Sequence, residues 1–151
     1  MTAKPNLLFV CTGNSCRSQM AEGWARHLHG DKLNPFSAGI KLRRIDRLAV
    51  KVMKEAGVDI SAQETHDVRD FLTEDIDFVV TVCSEAAKTC PVFPGKVKMV
   101  YRPFDDPPAL TEEAAREEEK LVVYRRVRDE IRDYVDKLPE LLGFSRHDAA
   151  S

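Results

Sequence analysis

Leu7-Leu8-Phe9-Val10-Cys11-Thr12-Gly13-Asn14-Ser15-Cys16-Arg17-Ser18-Gln19-Met20 runs from an apolar strand pattern, through a loop of small residues, into a helical pattern. A strand that turns sharply into a helix aims several backbone N–H groups and the positive helix end at one spot. That spot binds anions. Gly13 and Asn14 are the residue types that tolerate positive φ inside such a turn. The stretch Thr12, Gly13, Asn14, Ser15, Cys16 and Arg17 is therefore the candidate oxyanion cradle, with the Arg17 guanidinium as a planar fork for two oxygens. Cys11 opens the loop, where the same field favours its thiolate. Ser18 follows Arg17, placed for its hydroxyl to donate to that sulfur. A thiolate beneath a bound tetrahedral oxyanion is a nucleophilic device of the phosphatase type.

Cys-x5-Arg alone carries little weight. With 4 Cys and 13 Arg in 151 residues, chance supplies about 0.3 occurrences. The context decides: a strand before, a helix after, and turn-forming residues between. The alternative, a buried structural cysteine near a surface arginine, gives no reason for that context.

The composition agrees with one compact enzyme domain, expected over residues 1–142, with a loose tail over 143–151. Hydrophobic residues make up 43% and charged residues 32%, but 23 Lys and Arg nearly cancel 25 Asp and Glu. That balance argues against nucleic acid or an anionic membrane as a partner. No apolar stretch approaches the roughly 18 residues of a membrane span, and the first residues lack a signal-peptide pattern. A cytoplasmic chain is expected, and there cysteines stay reduced for catalysis or metal binding rather than serving as staples. Zinc is not expected: Cys11 and Cys16 stand five apart, Cys83 and Cys90 seven apart, and none of the four His neighbours a Cys.

Strands and helices alternate along the chain. The pattern predicts strands over 6–10, 34–38, 78–82 and 97–101, and helices over 16–29, 46–56, 68–72 and 111–141. Gly30 and Gly57 are placed to end the first two helices. Such alternation implies an α/β fold, an open four-stranded parallel sheet with helices on both faces. Ligands bind at the carboxyl ends of strands in such sheets. Cys11, Cys83 and the pair Asp105-Asp106 each follow a strand, so all three fall on one edge.

The segment Phe9 to Gly23 resembles the low-molecular-weight protein tyrosine phosphatase superfamily, and more narrowly its thioredoxin-coupled arsenate reductases. Further matches are Ser37-Ala38-Gly39-Ile40, Val52 to Ser61, Val79 to Ser84, Cys90-Pro91, Phe104-Asp105-Asp106-Pro107 and Arg126 to Ile131, so the likeness spans about 6–135. Cys83 and Cys90 are its specific part, since phosphatases of this fold need only the first cysteine. The resemblance implies that Cys11 attacks arsenate held by the loop, while Asp106 protonates the departing oxygen; Asp105 is the rival for that role. It further implies that Cys83 then attacks Cys11, that arsenite leaves, and that Cys90 attacks Cys83 to give a disulfide which thioredoxin reduces. If Ser84 to Thr89 is helical, Cys83 and Cys90 are separated by a rise of about 10 Å. A disulfide needs Cα atoms within about 7 Å. That short helix must then unwind, which a two-turn helix does at low cost.

The likeness has departures. Where many relatives carry a His-Gly-x-Asn-Pro-like stretch, this chain reads Lys41-Leu42-Arg43-Arg44-Ile45-Asp46-Arg47, a basic loop bordering the site. Some relatives bind potassium near the anion loop; Asn14, Glu22 and Ser37 match those ligands, with His66 and Asp67 competing for a further position. No tightly bound cofactor is otherwise implied. Pro108 stands where tyrosine phosphatases carry an aromatic residue. A phosphatase whose extra cysteines protect the nucleophile, a thiol redox sensor, and a reductase with residual phosphatase activity all stay open at this point.

Overall fold

The computed structural model describes residues 4–143. Strands β1 (Asn6–Cys11), β2 (Asn34–Gly39), β3 (Phe78–Thr81) and β4 (Lys98–Tyr101) form one parallel sheet in the order β2-β1-β3-β4. The helices are α1 (Arg17–His29), α2 (Arg47–Glu55), α3 (Ser84–Thr89), α4 (Pro107–Leu110), α5 (Glu117–Asp136) and α6 (Leu138–Leu142), with a 3-10 turn at Val68–Phe71. This is the α/β architecture that the alternating pattern predicts. Of the expected tail, only Gly143 falls among the described residues.

Leu7, Leu8, Phe9 and Val10 are all fully buried. Successive strand residues face opposite sides, so both faces of β1 are covered. Val79 and Val80 repeat the pattern in β3, whereas the edge strand β4 keeps Lys98, Met99 and Tyr101 exposed. β1 lies between β2 and β3, so the connections leaving its carboxyl end diverge and open a crevice there.

Two helix ends follow their sequence signals. Asp46 caps α2 by accepting the Leu48 N–H at 2.9 Å. Gly57, at φ +88°, ends the same helix, with its N–H and that of Val58 returning to Lys54 and Met53 carbonyls. Gly30 differs: it ends α1 in right-handed conformation, φ −60°, not as a left-handed C′ residue. There glycine answers a spatial need, since a Cβ would lie 2.6 Å from the Arg26 carbonyl oxygen.

The single helix expected over 111–141 is three helices. Thr111 closes α4 by turning its hydroxyl onto the Pro107 carbonyl at 2.7 Å. Arg116 is extended, φ −123° and ψ 146°, so α5 starts only at Glu117. Pro139 cannot donate to Val135 and would clash with its carbonyl, so the helix breaks at Lys137 before α6. Among the described residues no helix is long and apolar enough to cross a membrane.

α1 packs against α5, where the Trp24 indole N–H donates to the Arg128 carbonyl at 3.2 Å and His29 Nε2 meets the Val135 carbonyl at 2.9 Å. On its other side, Gly23 lets Ile60, Met53 and Val58 approach the α1 backbone; a Cβ there would lie 2.5 Å from Ile60 Cγ2. We expect Gly23→Ala to lose about 1–2 kcal/mol in urea denaturation. Overpacking costs about 1–3 kcal/mol and outweighs the gain of about 1 kcal/mol in helix propensity.

Candidate active site

The loop between β1 and α1 is held from outside by its carbonyls. Thr12 O accepts from the Ile40 and Lys41 N–H groups at 2.9 and 2.8 Å, Gly13 O from Arg43 N–H at 3.0 Å, and Ser15 O from Asp46 N–H at 2.8 Å. Asn14 O accepts the buried Gln19 amide at 3.0 Å, and Cys16 O takes the Met20 N–H at 2.9 Å. With each carbonyl turned outward, the opposite ends of those peptides turn inward. The N–H groups of Gly13 through Arg17 find no acceptor among the described residues. They line a cavity of about 230 Å³ at the start of α1, together with Cys11, Asp106 and Pro108.

Asn14 is the turn's hinge. It holds φ 52°, a left-handed conformation that asparagine tolerates. Its Oδ1 accepts the His66 backbone N–H at 2.8 Å, which fixes the amide orientation and turns Nδ2 onto Ser18 Oγ, also at 2.8 Å. Ser18 Oγ in turn lies 2.9 Å from Cys11 Sγ. When Cys11 is a thiolate, the Ser18 hydroxyl is the donor in that pair. Gly39, at the end of β2, presses on the turn: a Cβ there would come within 2.8 Å of Asn14 N and 2.9 Å of Gly13 C.

The other sequence-selected residues separate into near and far. Arg17 donates to the Phe104 carbonyl at 3.1 Å and lies 3.5 Å from the Asp106 carboxylate. Asp106 lines the cavity, whereas Asp105 turns away to pair with Arg126 at 3.1 Å. Cys83, just past β3, is buried with Sγ 3.3 Å from Thr12 Oγ1. Cys90 ends α3 and does not line the cavity. Burial pushes the Cys16 thiol well up, with Asp46 adding to it, so this second loop cysteine stays protonated at neutral pH. Burial also raises the Cys90 thiol.

Sequence reasoning missed several participants. Gln19 and His66 hold the loop through Asn14, and nothing in their spacing signals it. Arg43 and Glu85 line the cavity, and only the basic run Lys41–Arg47 hinted at the first. A larger hollow of about 760 Å³ at the opposite sheet edge, around Lys4, Asn6, Asp77 and Lys96, carries neither cysteine nor histidine.

The potential potassium ligands do not form a cage for a bare cation. Glu22 already takes the Ser37 hydroxyl at 2.5 Å and the Arg26 guanidinium at 2.6 Å. Asn14 Oδ1 is used by His66. Asp67 is locked to Arg69, which, together with the Arg69 backbone N–H, holds its carboxyl down at about 2. No cluster of three or more metal-ligating His, Cys, Asp or Glu occurs among the described residues.

A parallel α/β sheet with an anion-binding turn over a cysteine, followed by Arg, defines a class of oxyanion-handling thiol proteins. The model for the low molecular weight phosphotyrosine protein phosphatase family matches residues 6–145, and the chain belongs to that family. Among its relatives, a Bacillus licheniformis protein named arsenate reductase is 44% identical over 138 residues, 91% of this chain and 97% of that one. One from Bacillus subtilis with the same name is 45% identical over 134 residues, 89% and 94% of the two chains. A solved structure described as an arsenate reductase in the phosphate binding state superposes with TM-score 0.70 at 30% identity, covering 89% of this chain and 95% of its own. A Corynebacterium glutamicum thioredoxin-dependent arsenate reductase shares the fold, with TM-score 0.71 at 23% identity, covering 95% of this chain and 64% of its own.

Gly39 is the least replaceable support of the turn. We expect Gly39→Ala to fold but to push Asn14 and Gly13 out of register. Inorganic phosphate should then protect Cys11 from alkylation at least about tenfold less well than in wild type, since the loss of even one charge-assisted hydrogen bond is worth that much. Peptide mapping of the alkylated protein reads the result directly.

Proposed function

We propose that this chain reduces arsenate to arsenite through Cys11, Cys83 and Cys90, with thioredoxin as the external dithiol. The observation that carries the reading is the contact between Cys83 Sγ and Thr12 Oγ1: a second thiol abuts the loop that begins with the first. A phosphatase of this fold has no use for it. The many relatives named arsenate reductase support the same substrate.

Arsenate is a tetrahedral dianion near neutral pH and fits a cradle of N–H donors closed by Arg17. Cys11 attacks arsenic and forms an S–As bond, and one oxygen leaves as water after taking a proton from Asp106. The Cys83 thiolate then attacks Cys11 sulfur. A Cys11–Cys83 disulfide forms, and the S–As electron pair stays on arsenic, which departs as arsenite. Two electrons have moved from two thiols to As(V). Cys90 next attacks Cys83, freeing Cys11 and leaving a Cys83–Cys90 disulfide for a thioredoxin in the reducing cytoplasm.

The third step needs α3 to open, and α3 is built weakly. It has six residues, one of them (Ala86) buried, and its first turn is capped only by Cys83 Sγ accepting the Ala86 N–H at 3.4 Å. A disulfide sulfur is a poorer acceptor than a thiolate, so bonding Cys83 to Cys11 weakens the cap as it recruits the helix. The same cradle with Cys11, Arg17 and Asp106 also suits hydrolysis of phosphate monoesters, which we expect as a residual activity.

Arsenite formed from arsenate with thioredoxin and its reductase is the primary test; no arsenite would sink the proposal. Cys11→Ser and Arg17→Ala should each abolish turnover with the fold intact. Cys83→Ser should fail before arsenite release, whereas Cys90→Ser should release one equivalent and stall as a Cys11–Cys83 disulfide. Full multiple turnover by Cys90→Ser with thioredoxin alone would overturn the relay.

Cys90 gives a pH test. Its thiol is raised by burial, so its thiolate is scarce at neutral pH and grows only above the ordinary thiol range. In the reduced protein, Cys90 alkylation should be slow at pH 7 and keep rising past pH 9. In Cys90-containing protein trapped with the Cys11–Cys83 bond, the profile should shift to lower pH as α3 opens.

A further inference from the structure

The basic loop after β2 places one side chain in the site that the proposed chemistry does not yet use. Arg43 is fastened to the anion loop at two points. Its N–H donates to Gly13 O at 3.0 Å, and its stem lies over Gly13 so closely that a Cβ there would be 3.2 Å from Arg43 Cγ and Cδ. Beyond that stem the guanidinium makes no hydrogen bond or ion pair among the described residues, and the side chain lines the cavity with Glu85, Asp106 and Pro108. An anchored stem with a free cationic head at the mouth of an anion site is arranged to meet the anion.

The charge balance in the cavity gives that head a task. Arg17 is 3.5 Å from Asp106, so its charge is shared with a carboxylate. Glu85 is a second carboxylate on the same wall, and Cys11 adds a thiolate in the reactive state. Without Arg43 a dianion would approach a cavity whose nearby side chains are net negative. The loop N–H groups grip the oxygens at the floor; the oxygens facing the mouth lie on the side where Arg43 stands.

We propose that Arg43 is a second guanidinium ligand of the oxyanion, engaging the mouth-side oxygens and favouring free inorganic oxyanions over esters. An ester replaces one charged oxygen with a neutral bridging oxygen and its substituent, and that end must project through the mouth past Arg43. The proposal rests on the reading of residues 11–17 as an oxyanion site, and it assigns to Arg43 a selectivity that the loop alone lacks.

The test is a charge series, Arg43→Lys, Arg43→Gln and Arg43→Glu, with two readouts. The first is protection of Cys11 from alkylation by inorganic phosphate or arsenate, which needs no turnover. The second is kcat and KM for arsenate, beside KM for a small aryl phosphate. Arg43→Gln should raise the protection constant and the arsenate KM by about tenfold or more, the size of one charge-assisted hydrogen bond, with kcat changed less than about threefold. Arg43→Lys should recover most of the loss, and Arg43→Glu should bind weakest. The aryl phosphate KM should move by less than about threefold. A purely structural role for Arg43 would not follow side-chain charge, and melting curves of the three variants identify any that unfold. Protection constants within twofold of wild type for Arg43→Gln would overturn the proposal, as would equal effects on ester and free anion. Should wild type make no arsenite while phosphate protection still follows the charge series, the reductase reading falls and Arg43 stands as an anion ligand.

Discussion

The site depends on where five carbonyls point. A peptide unit has two ends, and fixing one fixes the other. Ile40, Lys41, Arg43 and Asp46 donate backbone N–H groups to the carbonyls of Thr12, Gly13 and Ser15, and Gln19 and Met20 take those of Asn14 and Cys16. The N–H groups of the turn are thereby left facing one cavity, paid for before any anion arrives. Most of these donors are backbone atoms, so the basic side chains of Lys41–Arg47 are free to differ from the family pattern without loosening the loop. That freedom is what allows Arg43 to take up a place in the cavity.

Much of this was legible in the chain. The turn at Cys11–Arg17 and the four strands follow from local signals: an apolar run, small residues with positive-φ tolerance, and a helical period starting at once. Three chemistry-bearing strand ends landing on one sheet edge needed only parallel topology. What was not legible is what depends on distant partners. The run Thr111–Leu141 is helical in composition, yet the Thr111 hydroxyl and Pro139 divide it, and a smooth apolar period hides both breaks. Gly30 carries a helix-stop signal but answers a crowding need. Asp105 and Asp106 are indistinguishable in sequence, and only the position of Arg126 on α5 draws the first away from the cavity. Glu85 was within a segment read for its helicity, with nothing to reveal which way it faced.

The four cysteines occupy four different environments, and those differences order them. Cys11 lies at the cavity floor beside a hydroxyl donor. Cys16, five residues on, is buried behind the loop, where its thiol stays protonated and its backbone does the work. Cys83 is buried against Thr12 and at the same time caps α3. Cys90 is half-buried at the far end of that helix with a raised thiol. Reactivity therefore runs outward from the cavity, and each thiol becomes competent only when the preceding bond has changed its surroundings.

Asp46 joins this machinery to the rest of the fold. Its N–H holds Ser15 O, one carboxylate oxygen caps α2 through Leu48, and the other accepts the Tyr124 hydroxyl of α5 at 2.6 Å. Burial and the bond to Asp46 both raise the Tyr124 phenol, so it stays a donor at every pH where the protein is folded. Unlike a histidine or a second carboxylate, such a partner cannot switch off within the physiological range. One short side chain thus ties the anion loop, the start of α2 and the middle of α5 into a single rigid unit. The part of the site expected to move, α3, has no such tie, and the contrast between the two puts rigidity where the anion binds and looseness where a thiol must travel.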